Sequence, residues 1–282
     1  MKICRFTQNG NTRLGKVVND RVVDLSGVPG VTHSTRELLT KWSELRPALE
    51  ASRSQSYGPD EVTLEAPITD PQKFLAIGMN YRAHAEEAAK AGIPIPKSQL
   101  WFNKQVSCIN GPTSAIELPQ ISDQLDYEAE MGVVIGRRCR HVKAADARSM
   151  IAGYLVADDV SVRDWQMKSP TFTLGKSFDT HGPIGPWITT DDEVADPHDL
   201  LMTLTVNGEE RQRTSTGDMI YSIFEQIAYL STVMTLEPGD LLATGTPAGV
   251  GIARGQFLKD GDVVRVAISG LGAIENRVVA ER

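Results

Sequence analysis

The sequence predicts a mixed, β-dominated fold with few helices, divided into a small and a large part. Short strand-like runs separated by turn dipeptides dominate both parts. The chain has 282 residues, more than a typical single domain, and the segment from Pro67 to Pro71 is typical of a boundary. We therefore expect a small N-terminal β-rich domain over residues 1–70 and a larger domain over residues 71–282.

The smaller part begins with three short runs of strand-forming residues. The dipeptides Asn9-Gly10 and Asn19-Asp20 fall between these runs and favour tight turns. A helical pattern and then a polar segment follow the third run. The predicted elements are strands at 2–7, 13–18 and 21–25, a helix at 35–50 and a linker at 52–58.

The larger part also consists mainly of strands. Its strongest local signal is Asn207-Gly208, which predicts a hairpin of residues 201–206 and 209–213. The clearest helix covers residues 218–234, where apolar side chains recur at helical spacing. Further strands are predicted at 74–77 and directly after the turn sequences at 238–240 and 260–262.

An acidic run leads into one of the apolar strands. Asp126, Glu128 and Glu130 alternate with other residues and precede the apolar run 131–136. Side chains two residues apart in a strand point the same way, so the three carboxylates would share one face. Like charges on one face repel one another, and a hard divalent cation such as Mg²⁺ would cancel that repulsion. The alternative is a solvated strand edge whose acids face water.

A second acidic pair follows the apolar run at 151–156. Asp158 and Asp159 are adjacent, and adjacent side chains of an extended chain face opposite sides. Only one of them can therefore join the first cluster, and the pattern does not decide which. The other is expected to cap a turn or to pair with a base such as Arg163.

His84 and Glu87 stand three residues apart in an alanine-rich segment that reads as a helix. At that spacing they are neighbours on one helix face. A carboxylate beside an imidazole orients the ring and raises its basicity, as a general base requires. The alternative is a surface helix on which acids balance Lys90. The remaining histidines are predicted to be surface or structural residues: His33, His141, His181 and His198.

Lys176 lies in a glycine-flanked segment with few other charges. A lysine beside an acidic metal pocket would stabilise an anionic intermediate. The segment is not a nucleotide-binding P-loop, because Pro170 stands where that motif needs a glycine. The glycine-rich run 245–251 is not a dinucleotide fingerprint, because Arg254 replaces its last glycine.

The composition excludes several classes of function. A formal net charge of −7 offers no basic face for nucleic acid. No apolar run approaches the length of a membrane span, and the first residues lack the apolar core of a signal peptide. The three cysteines contain no CxxC pair, which argues against a zinc site or a disulfide framework. We therefore expect a soluble cytoplasmic protein.

Taken in order, these motifs resemble the fumarylacetoacetate hydrolase family over essentially all of residues 72–282. Residues 1–70 are similar to the smaller N-terminal domain that many members carry. The resemblance implies a β-sandwich-like roll with few helices, usually assembled as a homodimer. The matching stretches are GMNYRAHAEE (78–87), DYEAEMGVVIG (126–136), GYLVADDVSVRDWQ (153–166), GKSFDTHGPIGPW (175–187), VNGEERQ (206–212) and EPGDLLATGTPAGVG (237–251).

The resemblance also implies roles for single residues. It selects Asp159 over Asp158 as the third metal ligand. The expected cofactor is Mg²⁺, with Mn²⁺ or Ca²⁺ as alternatives. The implied metal ligands are Glu128, Glu130 and Asp159; the implied catalytic residues are His84, Glu87 and Lys176; and the implied pocket residues are Arg163, Gln166 and Thr246.

The leading functional hypothesis is Mg²⁺-dependent hydrolysis of a carbon–carbon bond in a 2,4-dioxo acid of the acylpyruvate type. Such a reaction passes through a pyruvate enolate that the metal and Lys176 would stabilise. Decarboxylation of oxaloacetate and isomerisation of an unsaturated 2-oxo diacid use the same enolate, so both stay open. Residues 167–173, where members differ, could encode substrate choice. A binding protein without turnover is the remaining alternative, although structure alone needs neither the His84–Glu87 pair nor Lys176.

Overall fold

The computed structural model describes residues 1–90, 92 and 94–282, and strands dominate it, as the sequence predicts. Every strand predicted from the sequence is present. The strands are β1 Lys2–Gln8, β2 Asn11–Val18, β3 Arg21–Asp24, β4 Ser56–Tyr57, β5 Thr63–Glu65, β6 Phe74–Gly78, β7 Leu100–Lys104, β8 Ile109–Asn110, β9 Ile116–Leu118, β10 Leu125–Asp126, β11 Ala129–Ile135, β12 Ile151–Asp158, β13 Ser161–Val162, β14 Gly182–Thr190, β15 Leu201–Val206, β16 Glu209–Ser215, β17 Leu241–Ala243, β18 Val263–Ile268 and β19 Gly272–Ala280.

The helices are short and few. Those of the described residues are α1 Thr35–Thr40, α2 Trp42–Ala51, α3 Arg82–Lys90, α4 Arg163–Gln166, α5 Ile223–Val233 and α6 Gly251–Arg254. The single helix predicted at 35–50 is wrong, because Lys41 leaves the helical region and divides it into α1 and α2. Both halves bury leucines in the same N-terminal core, so the apolar pattern continues across the break.

Two other local predictions need correction. The linker predicted at 52–58 contains β4, which pairs with β3 and packs the Tyr57 ring against Phe6. The helix predicted at 218–234 begins only at Ile223. Before it, the backbone N–H groups of Ile220 and Tyr221 donate to Asn80, so they are not available to a helix.

One large sheet runs through the molecule in the order β4-β3-β2-β1-β14-β12-β11-β17-β6-β7. The N-terminal strands join it because β1 pairs antiparallel with β14. Most of its pairs are antiparallel, whereas β17 and β6 are parallel. The division of the chain into two domains at residue 70 stays a prediction.

A five-stranded sheet in the order β16-β15-β18-β19-β9 packs against the large sheet. Strand β11 is buried on both faces. Met131 and Val133 enter the core shared with β15 and β18, while Val134 faces a second core lined by Leu155 and Leu241. Neighbouring residues of β11 therefore belong to different cores, as the alternation of strand side chains requires.

The acidic run at 126–130 does not form one continuous strand. Asp126 ends β10, which pairs with β13 in a separate two-stranded sheet, and β11 begins only at Ala129. The expectation that Asp126 shares a face with Glu128 and Glu130 is therefore wrong. The break places the two glutamates at the N-terminal end of β11, next to the C-terminal end of β12.

Candidate metal and catalytic site

Three carboxylates come together where β11 begins and β12 ends. Glu128, Glu130 and Asp159 each offer one oxygen, and these three oxygens lie within 4.8 Å of one another. All three side chains are buried. The arrangement follows from strand pairing: Ala129 pairs with Asp158, and the Asp159 N–H donates to the Glu128 carbonyl at 3.0 Å. We call these three residues the carboxylate cluster.

Asp158 points away from this cluster. Its Oδ1 accepts the backbone N–H of Glu128 at 2.8 Å, so it holds the chain at the break between β10 and β11. The two roles expected for the second aspartate are capping a turn and pairing with Arg163; residues 127–128 do not form a turn, and Arg163 pairs with Asp126 and Glu128 instead. Burial raises the pKa of Asp158 to about 8.

Buried cations surround the carboxylate cluster. Lys176 Nζ donates to Glu128 Oε2 at 2.7 Å and to Asp159 Oδ2 at 2.8 Å. Arg163 Nη1 lies 2.6 Å from Glu128 Oε1. Burial alone would raise the pKa of Glu128, but the charges of Lys176 and Arg163 lower it to about 2. Glu128 is therefore ionised at neutral pH although it is buried.

Glu130 has a different environment. Its Oε2 accepts the Gly245 N–H at 2.8 Å, and among the described residues no cationic side chain forms an ion pair with it. Burial, followed by the neighbouring Asp159 and Glu128 carboxylates, raises the pKa of Glu130 well above its usual range. An all-oxygen set with one uncompensated carboxylate fits a hard divalent cation such as Mg²⁺ or Mn²⁺.

Lys104 is a residue of the site that the sequence analysis missed. Its Nζ lies 2.7 Å from Asp159 Oδ1 and also contacts the carbonyl oxygen of Lys176. It ends strand β7 and is buried, and it binds the Asp159 oxygen that Lys176 does not bind. The only signal in the sequence is a lysine that closes an apolar strand, and surface lysines do so too.

His84 and Glu87 meet on α3 as their spacing predicts. His84 Nδ1 lies 3.2 Å from Glu87 Oε2, and the Gly249 N–H donates to Glu87 Oε1 at 3.2 Å. Burial tends to raise the pKa of Glu87, but these hydrogen bonds with His84 and Gly249 outweigh it and lower the pKa. An ionised Glu87 accepts the proton on Nδ1, which leaves the lone pair on Nε2 to act as a base.

These groups face one cavity of about 230 Å³. Eight of the nine residues predicted for the site line it, and the ninth, Asp159, belongs to the carboxylate cluster. Met167 and Phe172, from the segment expected to vary, also line it. The other wall is largely apolar: Ile77, Met79, Ala88, Leu100, Phe102, Val250, Ile252 and Ala253. The cavity thus has a charged end and an apolar wall.

The predicted pocket residues have defined partners. Gln166 Oε1 accepts from Arg163 Nη1 at 2.9 Å, so the Gln166 amide can donate. Thr246 Oγ1 accepts from Gln212 Nε2 at 3.0 Å, which leaves the Thr246 hydroxyl proton to donate. Gln212, which the sequence analysis missed, also accepts the Ala129 N–H at 2.9 Å. It therefore ties the loop of Thr246 to the start of β11.

Comparison with known proteins identifies the family. Residues 73–279 match the model of the fumarylacetoacetate (FAA) hydrolase C-terminal domain. The chain belongs to the fumarylacetoacetate hydrolase family. This confirms the resemblance seen in the motifs.

Several proteins similar to this chain are named oxaloacetate tautomerases. A mitochondrial oxaloacetate tautomerase of Xenopus laevis is 41% identical over 291 residues, covering 99% of this chain and 90% of that protein. A mitochondrial oxaloacetate tautomerase of Homo sapiens is 46% identical over 223 residues, covering 78% and 70%. In the described part of the chain, no helix has the length and apolarity to cross a membrane.

Solved structures of similar proteins include a hydrolase and an isomerase. A maleylpyruvate hydrolase from Sphingobium sp. SYK-6, in complex with manganese(II) and pyruvate, has a TM-score of 0.86 and 34% identity over the whole of both chains. A 5-carboxymethyl-2-hydroxymuconate delta-isomerase from Mycobacterium smegmatis has a TM-score of 0.81 and 33% identity over the same coverage. Relatives of this chain are thus enzymes whose names describe hydrolysis, isomerisation and tautomerisation.

Proposed function

We propose that this protein is a divalent-metal-dependent enzyme that enolises 2-oxo acids, and that its reaction is the keto–enol tautomerisation of oxaloacetate. The observation that carries the proposal is one small cavity that the His84–Glu87 pair shares with the carboxylate cluster and Lys176. The names of several relatives, the oxaloacetate tautomerases with 41–47% identity, support the choice of reaction. Tautomerisation needs only proton transfer through the enolate, whereas the hydrolysis expected from the motifs also breaks a carbon–carbon bond.

Glu128, Glu130 and Asp159 would hold the metal. When bound, a Mg²⁺ or Mn²⁺ ion would supply a Lewis acid that polarises the 2-oxo acid and makes its C3 protons more acidic. Thr246 has a hydroxyl proton to donate to the substrate, and the amide of Gln166, which also lines the cavity, offers another donor. These contacts would orient the substrate at the charged end.

His84 performs the proton transfer in this proposal. Its Nε2 removes a proton from C3 of the keto form and returns it to the 2-oxo oxygen to give the enol; the reverse path returns it to C3. Glu87 keeps the imidazole in the tautomer with a proton on Nδ1 and stabilises the imidazolium. The hydrogen bond from the Gly249 N–H holds the half-buried Glu87, which in turn fixes the His84 ring relative to the cavity.

Lys176 stabilises the negative charge that develops on the substrate. Its ammonium group has three protons, and two of them bind Glu128 and Asp159. The third is available to the cavity that Lys176 lines. A buried, already oriented ammonium requires little reorganisation when the enolate forms, which is the condition for strong electrostatic stabilisation.

Hydrolysis of an acylpyruvate is the second candidate. The apolar wall formed by residues such as Leu100, Phe102 and Phe172 would suit an acyl group better than a second carboxylate. A similar structure is titled as a maleylpyruvate hydrolase with manganese and pyruvate. In this reaction His84 would remove a proton from water, which would then attack the C4 carbonyl.

One experiment separates the candidates. Enol oxaloacetate is added to the metal-loaded protein, the loss of enol absorbance is followed, and pyruvate is measured at the end; an acylpyruvate is tested in parallel. We expect rapid loss of enol with oxaloacetate conserved, and a strong reduction in His84→Ala. Cleavage of the acylpyruvate without faster loss of enol would favour the hydrolase, and pyruvate formed from oxaloacetate would favour a decarboxylase.

A further inference from the structure

Asp126 is a fully buried carboxylate that accepts hydrogen bonds from the adjacent Tyr127 N–H and from two distant parts of the chain. The backbone N–H groups of Gly251 and Ile252 donate to it at 2.7 and 2.9 Å. Arg163 Nε donates to its Oδ2 at 2.8 Å, and Arg163 Nη2 lies 2.8 Å from the same oxygen. Asp126 does not line the cavity, and it is not a member of the carboxylate cluster.

The third nitrogen of Arg163 reaches into the site. Nη1 lies 2.6 Å from Glu128 Oε1 and donates to Gln166 Oε1 at 2.9 Å. A guanidinium group is planar and rigid, so fixing Nε and Nη2 on Asp126 also fixes the direction of Nη1. Asp126 thereby determines how Arg163 meets Glu128.

The chain around Gly251 is shaped to approach Asp126 closely. A Cβ atom at Gly251 would overlap Asp126 Oδ1, so a larger residue there would displace the backbone. Val250 and Ile252, on either side, line the cavity. Asp126 therefore connects the wall formed by this segment with the charged end that contains Arg163 and Glu128.

We propose that Asp126 is a positioning residue for the metal site, an inference that rests on the proposed function. Its negative charge balances Arg163, so that Glu128 is shared between Arg163, Lys176 and the cation. Without that charge, Arg163 is left with Glu128 as its carboxylate partner and competes with the cation for it. The added net positive charge weakens cation binding further.

The test titrates metal-free protein with Mn²⁺ and measures free Mn²⁺ by electron paramagnetic resonance. We expect Asp126→Asn to raise the Kd for Mn²⁺ about 10–100-fold. The matched control is Asp240→Asn. Asp240 is equally buried and accepts from Lys73 Nζ at 2.8 Å and from the N–H groups of Lys73 and Glu237, but it lies outside the site. Both substitutions should lower the melting temperature, whereas only Asp126→Asn should change the Kd.

A double-mutant cycle with Arg163→Gln tests the route of the effect. If Asp126 acts through Arg163, adding Asp126→Asn to Arg163→Gln leaves the Kd for Mn²⁺ unchanged. The double variant lacks both the Asp126 and the Arg163 charge, so neither is left buried without its partner. The double variant can therefore be compared with Arg163→Gln even if Asp126→Asn alone does not fold. An unchanged Kd in Asp126→Asn, an equal change in Asp240→Asn, or a full additional effect in the double variant would overturn the inference. Wild-type protein that binds no Mn²⁺ would instead overturn the metal site of the proposed function.

Discussion

The buried charges of the site are balanced between individual residues. Glu128 is shared by Lys176 and Arg163, and Asp159 is shared by Lys104 and Lys176. Removing one partner of a buried ion pair usually costs several kcal/mol, because the other charge stays buried without compensation. Substitutions here therefore act on charge balance as well as on chemistry, and their effects on stability must be measured beside their effects on rate.

Lys176→Met removes the ammonium group proposed to stabilise the enolate. We expect kcat for oxaloacetate tautomerisation to fall about 10²–10³-fold, because one oriented donor to a developing oxyanion contributes that much. Steady-state kinetics with saturating Mg²⁺ measures this, and Lys259→Met, at an exposed position that does not line the cavity, is the control. A kcat close to the wild-type value would show that Lys176 serves only to balance the carboxylates.

Gly249→Ala tests the support of the catalytic pair. Gly249 has φ of 103°, and a Cβ there would overlap the Arg211 carbonyl oxygen, so the backbone must move. That movement displaces the N–H that holds Glu87. We expect kcat to fall at least about 10-fold with a smaller change in KM. Gly255→Ala is the control, since Gly255 also has positive φ but has open space around it. Equal kinetics in the two variants would contradict this role of Gly249.

His181 makes stability depend on pH. Burial lowers its pKa to about 4, whereas an unfolded histidine titrates near 6.5. As pH falls, the histidine of the unfolded chain is therefore protonated before that of the folded chain. The contribution of neutral His181 to the free energy of unfolding is complete above about pH 6.5. It is lost as pH falls towards 4, to a total of about 3 kcal/mol.

The variant His181→Gln should reduce this pH dependence. Chemical denaturation at pH 7.5 and 4.5 gives the free energy of unfolding at each pH, and the loss between them should be smaller by about 2–3 kcal/mol than in the wild type. His33→Gln, at an exposed position, should leave the loss unchanged. An equal decrease in the free energy of unfolding in His181→Gln and the wild type would show that His181 does not cause the pH dependence.

At the scale of single elements, local patterns predict strands and turns well. The hairpin of β15 and β16 forms around Asn207, which has φ of 52°, and Gly208, which has φ of 80°. This backbone is the one that an Asn-Gly turn favours. Local patterns fail where a residue distant in the sequence accepts hydrogen bonds from the backbone N–H groups. Asn80 binds the N–H of Tyr221 and thereby delays the start of α5, and no local pattern shows this.

The same limit applies to the site. His84, Glu87 and the three cluster carboxylates could be predicted because they lie close together in the sequence or fall on family motifs. Lys104 and Gln212 could not, because each acts through contacts with residues more than 30 positions away. The acidic run predicts Asp126 on the same face as the two glutamates, whereas its turn towards Arg163 depends on the break between β10 and β11.

The start of α5 also makes a prediction about stability. Ser222 Oγ accepts the Glu225 N–H at 3.3 Å, and Glu225 Oε2 accepts the Ser222 N–H at 2.8 Å, which forms a capping box. We expect Ser222→Ala to lower the free energy of unfolding by about 1 kcal/mol. Urea denaturation measures the change, and Thr232→Ala in the last turn of the same helix is the control. A smaller decrease in the free energy of unfolding in Ser222→Ala than in Thr232→Ala would contradict the capping role of Ser222.

At the scale of the whole molecule, the N-terminal strands extend the sheet that carries the site. β12 and β11 supply the region of the carboxylate cluster, and β14 joins β12 to β1. Whether residues 1–70 form a separate domain stays a prediction, as do the homodimer and the cytoplasmic location.

The interconversion of keto and enol oxaloacetate by protein freed of divalent cations tests the proposed metal dependence directly. We predict no acceleration over buffer without metal and a large acceleration when Mg²⁺ or Mn²⁺ is returned. Glu130→Ala at the same metal concentration should give only the rate of free metal, because it removes the cluster carboxylate that has no ion-pair partner within the described part of the chain. Equal acceleration by metal-free and metal-loaded wild-type protein would contradict the central claim.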